Sequence, residues 1–126
     1  MFNNKITGIG ALLAATAVML GALGAHALKA VLLPEQLLSF ETAVRYQLYH
    51  ALALLIIQVI HVHFPLRNIK VINNCMIAGT LCFSGSIYLL LATHFKLLGP
   101  VTPIGGVLLI VAWSTLALNL LRSSKV

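Results

Sequence analysis

The chain has 126 residues, of which 60% are hydrophobic and 8% charged, with a mean hydropathy of +1.03. A soluble domain covers its surface with about 25% charged residues, so this composition excludes a water-soluble globule and makes lipid the solvent. The net charge of +6 comes from eight Lys and Arg against two Glu, placed singly or in pairs at the ends of apolar runs, without the basic groove and interleaved aromatics of nucleic-acid binders, so no nucleic-acid partner is expected.

Residues 6–28 carry no formal charge over 23 positions, about 34 Å of helix, enough to cross a hydrocarbon core of about 30 Å. Lys5 before this run and Ala25-His26-Ala27 near its end have the look of a signal peptide and its cleavage site. The apolar core of a signal is only about 7 to 15 residues, so the run reads as a retained span. Pro34 then opens a short amphipathic helix, with Leu37, Leu38, Phe40 and Val44 apolar and Glu35, Gln36, Glu41 and Arg45 polar. It is expected to lie on the membrane surface and to bend into the second span.

Residues 46–64, 71–93 and 104–121 form three further uncharged runs of spanning length. Gly99-Pro100 marks the turn out of the third, and Thr102-Pro103 reads as the N-cap and first helical position of the fourth. The sequence thus predicts an all-α membrane protein: four transmembrane helices and a short amphipathic surface helix between the first and second, in one domain over residues 1–126. With four spans, Lys5, Arg67, Lys70, Arg122 and Lys125 share one side, against Lys29, Arg45 and Lys96 on the other. That bias favours cytoplasmic termini.

Lipid supplies no hydrophobic drive for helix association, so close approach along small residues is the packing signal. Gly10, Ala14, Ala17, Gly21 and Gly24 fall on one face of the first helix, and Cys75, Ala78, Gly79, Cys82 and Ser86 on one face of the third. These stripes are expected to face each other within the bundle, or to serve as a homodimer seam. Cys75 and Cys82 sit seven residues apart on one helix, too far for a mutual disulfide. Trp113 lies near the middle of the fourth helix and wants an internal acceptor for its indole N–H.

Polar residues inside a bilayer are costly and need a reason. Gln47, His50, Gln58 and His61 lie within about 80° of arc on the second helix. Glu41 and Arg45 are spaced for an i,i+4 ion pair. His26, Glu41, Arg45, Gln47, His50 and Tyr88 are the candidate ligand-binding residues, grouped at the outer end of the bundle. The same groups also suit a hydrogen-bonded clasp between helices. No metal is expected, because paired His at i and i+4 are missing, and no cofactor is implied. No glycine elbow surrounds Ser84, Ser86 or Ser114, and both carboxylates fall in one segment, so no catalytic residue is assigned.

Four motifs in order, Gly21-Ala-Leu-Gly-Ala-His26-Ala-Leu-Lys29, Phe40-Glu-Thr-Ala-Val-Arg45-Tyr-Gln-Leu-Tyr-His50, Gly79-Thr-Leu-Cys-Phe-Ser-Gly-Ser-Ile-Tyr88 and Gly99-Pro-Val-Thr-Pro-Ile-Gly-Gly106, give the chain its character. It resembles the YgdD/YwdK family of small bacterial multi-pass membrane proteins. The family motif near the fourth span usually reads Gly-Trp, where this chain has Ala112-Trp113. The resemblance implies a four-helix inner-membrane protein without an assigned biochemical role, and it carries over no catalytic residue. The residues favour a non-catalytic interaction or structural module, with the bilayer, a second copy or another membrane protein as partner. A small-molecule, ion or proton translocator using the polar face of the second helix is the alternative.

Overall fold

The computed structural model describes residues 2–123. Four helices, α1 (Asn4–Ala25), α2 (Pro34–His63), α3 (Ile69–Thr93) and α4 (Val101–Ser123), run up and down, with single 3₁₀ turns at Leu28–Ala30 and Lys96–Leu98. All four are long and apolar enough to cross a membrane. Asn3 caps α1, its side-chain oxygen accepting the N–H groups of Lys5 and Ile6. At the start of α2, Pro34 takes the first helical position and the Gln36 side chain accepts the Leu33 N–H at 3.0 Å.

The separate surface helix is replaced by one continuous helix of 30 residues. No Gly or Pro stands between Glu35 and His63 to break it, and its early apolar side is used inside the protein: Phe40 and Ala43 are buried. At about 1.5 Å per residue α2 is about 45 Å long, some 15 Å more than the hydrocarbon core. Another boundary moves at the fourth span, where the helix begins at Val101. Thr102 is therefore inside the first turn, and its hydroxyl hydrogen-bonds Ser86 Oγ on α3 instead of capping α4.

The small-residue stripes do not face each other. A Cβ on Gly10 would touch Ala51 O and Leu54 at 3.1–3.3 Å, and one on Gly24 would strike the Phe40 ring at 2.6 Å, so the α1 stripe packs along α2. The α3 stripe packs along α4: a Cβ on Gly79 would meet Leu109 at 2.9 Å, and one on Gly105 would run into the Phe83 backbone. Short connections make sequence neighbours antiparallel partners, and these glycines let the paired backbones approach.

The core lies among α2, α3 and α4, where Leu54, Ile57, Ile72, Met76, Leu109 and Ala112 are buried together. α1 joins from the side of α2, with Ile6 and Leu13 against this cluster. Leu12, Val18, Ile56, Leu81, Val107 and Leu121 point outward, the apolar coat that lipid requires.

Gly105→Ala should cost about 1–3 kcal/mol through overpacking, because the obstacle is backbone. Gly8→Ala, with nothing within 4 Å of the added carbon, should leave stability unchanged. Thermal unfolding in detergent compares the two; equal midpoints would show that the α3–α4 approach is not tight.

Candidate functional site

Polar chemistry within the spans gathers on α2, whose side chains meet a different helix at each level. Gln47 is buried. Its amide nitrogen donates to Leu13 O at 2.9 Å and to Thr16 Oγ1 at 2.7 Å on α1, and its oxygen accepts the Tyr88 hydroxyl of α3 at 2.8 Å. Three helices thus share one amide, whose orientation follows from its partners, because only the nitrogen end can face the Leu13 carbonyl. Beside it a cleft of about 230 Å³ separates α1 from α3, lined by Leu20, Thr80, Ser84 and Gly85.

One turn further along, His50 turns to the other side. Its Nδ1 lies 2.7 Å from Tyr46 O, and its Nε2 accepts the Trp113 indole N–H of α4 at 3.0 Å. A carbonyl only accepts and an indole N–H only donates, so these partners assign His50 as the neutral Nδ1–H tautomer. The acceptor that Trp113 needed is therefore His50. The rings form an aromatic wall: Tyr46 stacks on Phe83 with centroids 4.3 Å apart, and His50 meets Trp113 edge-on at 5.9 Å.

This wall bounds a cleft of about 490 Å³ between α2 and α4, lined also by Tyr49, Gly106, Leu109 and Ile110. Tyr49, Ile110 and Trp113 are exposed there. Deeper pairs complete the polar set. Gln58 Nε2 donates to Asn73 Oδ1 at 2.8 Å, and Ser84 Oγ donates to Ala43 O at 2.7 Å, both buried. His61 Nδ1 accepts the Leu66 N–H at 3.0 Å, closing the α2–α3 turn.

Of the six residues proposed from sequence, Gln47 and Tyr88 meet directly, and His50 sits a turn away but opens toward α4. His26, Glu41 and Arg45 are exposed. The Glu41–Arg45 ion pair is replaced by a hydrogen bond of 3.4 Å from the Arg45 guanidinium to Thr42 Oγ1. His50 is near the middle of α2, because the helix starts at Pro34 rather than at Tyr46. Sequence reasoning passed over Thr16, Asn73 and Ser84 as partners. Asn73 carried the clearest signal, a carboxamide inside an uncharged run, two residues from its start.

Comparison with known proteins agrees with a membrane protein. Residues 20–106 match a family described as a protein of unknown function, DUF423. The UPF0382 membrane protein SAB0533 of Staphylococcus aureus (strain bovine RF122 / ET3-1) is 47% identical over 105 residues, 83% of this chain and 85% of the relative. The chain belongs to this family. The UPF0382 membrane protein YwdK of Bacillus subtilis (strain 168) is 38% identical over 106 residues, 83% of this chain and 86% of its own. SERP0230 of Staphylococcus epidermidis (strain ATCC 35984 / DSM 28319 / BCRC 17069 / CCUG 31568 / BM 3577 / RP62A), also a UPF0382 membrane protein, is 40% identical over 114 residues, 90% of this chain and 93% of the relative. No solved structure matches the chain. It is accordingly a membrane protein of a family without an assigned catalytic or transport role.

Gln47→Leu should lower stability by about 1–3 kcal/mol, since it strands the Tyr88 hydroxyl away from water. Adding Tyr88→Phe should cost less than the sum of the two singles by at least about 0.5 kcal/mol. Unfolding by SDS titration measures the cycle; strict additivity would mean that the bond contributes nothing.

Proposed function

We propose that this protein is a non-catalytic association module of the bacterial cytoplasmic membrane, which joins a second copy of itself through the aromatic cleft between α2 and α4. The observation that carries this reading is the closure of the polar face of α2. Gln47, His50 and Gln58 each hydrogen-bond to a neighbouring helix, with the second ring nitrogen of His50 held by Tyr46 O within α2, and among the described residues no buried side-chain nitrogen or oxygen lacks a partner. A translocation path needs polar groups free to exchange partners with water or cargo. A sealed face instead fixes the helices and leaves the outer surface as the working part. The α2–α4 cleft is an aromatic-walled recess in that surface, and Ile110 projects beside it, 65% exposed. A knob next to a hole is self-complementary under a two-fold axis.

Gly106 allows the idea to be tested without disturbing the core, because a Cβ there meets nothing nearer than Phe83 Cδ2 at 3.9 Å. Gly106→Leu should fill the cleft, stay folded and weaken self-association by about tenfold, or about 1.4 kcal/mol. Energy transfer between labelled copies in vesicles reads this directly. Proton flux into the same vesicles should equal that of protein-free vesicles. Flux abolished by Gln47→Leu, or association unchanged in Gly106→Leu, would overturn the reading.

Cytoplasmic termini are part of the same proposal. Lys5, Arg67, Lys70 and Arg122 lie toward one end of the helices, whereas Lys125 lies outside the described residues. The excess of basic residues at that end supports the orientation. Val31→Cys should react with an impermeant thiol reagent added to intact cells, and Ser123→Cys should be protected; the reverse pattern would invert the topology.

A further inference from the structure

The positive charge at the terminal end of the bundle is not spread over a convex surface. Arg67, from the turn between α2 and α3, and Arg122, from the last turn of α4, line one cavity of about 600 Å³ together with Asn68, Asn119, Thr115 and Ser123. Among the described residues, neither arginine has an acidic side chain beside it. The chain has two carboxylate side chains, Glu35 and Glu41, both in the first turns of α2. From Glu41 to the far end of that helix is about 33 Å at 1.5 Å per residue, several Debye lengths at physiological salt.

The cavity is also held in shape. Asn119 Oδ1 accepts the Arg67 backbone N–H at 2.6 Å, and Asn119 Nδ2 donates to Thr115 O at 2.8 Å. One carboxamide thus ties the turn that carries Arg67 to the helix that carries Arg122. Its depth follows from its walls: Leu118 belongs to the apolar surface of α4, and Arg122 one turn later marks the water boundary. A guanidinium at that level sits among lipid phosphates, and its planar fork matches their paired oxygens. Orientation of the chain in the membrane requires only basic residues in the short loops. It does not require two arginines on the walls of one cavity, with the intervening turn bonded in place.

We propose that this cavity is a binding site for the phosphate of an anionic phospholipid headgroup, with Arg67 and Arg122 as its counter-charges and Asn119 as the positioning residue. The inference is independent of self-association through the α2–α4 cleft, which lies on another part of the molecule.

Full-length protein in a neutral detergent, titrated with phosphatidylglycerol and with phosphatidylethanolamine, tests it by native mass spectrometry. Phosphatidylglycerol should be retained at least tenfold better. Arg67→Gln with Arg122→Gln should abolish that preference, while Arg45→Gln with Lys96→Gln, at the other end, should leave it intact. Arg67→Lys with Arg122→Lys keeps the charge and loses the fork, and should retain an intermediate preference; this pair decides the matter if the glutamine pair does not fold. Asn119→Ala, unchanged in charge, should weaken phosphatidylglycerol several-fold. Glycerol 1-phosphate and inorganic phosphate form the soluble arm. Competition by either at equimolar concentration would make the ligand a free phosphate ester and overturn the lipid assignment. Equal retention of the two lipids, or undiminished preference in both arginine pairs, would overturn the site.

Discussion

A polar group in hydrocarbon has no water to turn to, and in this protein that constraint falls on α2. Its carboxamides and imidazole decide which helix stands where. Gln47 requires a carbonyl and a hydroxyl from α1 and a phenol from α3; His50 requires the indole of α4; Gln58 requires the carboxamide of α3. Shape then tightens what polarity arranges. The Gly24–Phe40 contact draws α1 onto α2 beside Gln47, and the Gly79–Leu109 contact draws α4 onto α3, which the Thr102–Ser86 hydrogen bond also joins. The two kinds of interaction agree, as expected of a sequence whose local choices support one fold.

Much of the fold was legible because spanning is a local property. An uncharged run of about 20 residues announces itself without reference to any neighbour, and all four helices lie over the expected runs. Contacts are not local, and there the sequence reading failed in instructive ways. A stripe of small residues says that something comes close, not what. The partners of Gly10 and Gly79 depended on Leu54 and Leu109, whose size alone carries no address. The segment after Pro34 was expected to be a separate amphipathic helix on the membrane surface; it is instead the first part of α2, and its Phe40 meets Gly24 and Tyr88.

The candidate site divides along the same line. Gln47 and Tyr88 were both singled out, and they meet. Gln47 and His50 are three residues apart, about 60° around the helix, which placed them on one stripe. That angle is wide enough for the boundary between two neighbouring helices to fall between them, so one faces α1 and the other α4. The need of Trp113 for an acceptor was evident from its depth; the identity of that acceptor depended on how far α4 slides along α2. The portion of the chain matched by its family, residues 20–106, contains Gln47, His50, Tyr88 and the Gly79–Gly105 approach, while their partners Leu13, Thr16 and Trp113 lie outside it.

The cleft between α2 and α4 also bears on the surrounding bilayer. A recess of about 490 Å³ walled by Tyr46, Phe83 and Trp113 cannot stand empty in a fluid membrane; acyl chains enter it when protein does not. The proposed association through that surface would then be an exchange reaction, in which protein contacts are gained and chains are returned to the bulk lipid. The strength of the proposed association would thus be a property of the membrane as much as of the protein.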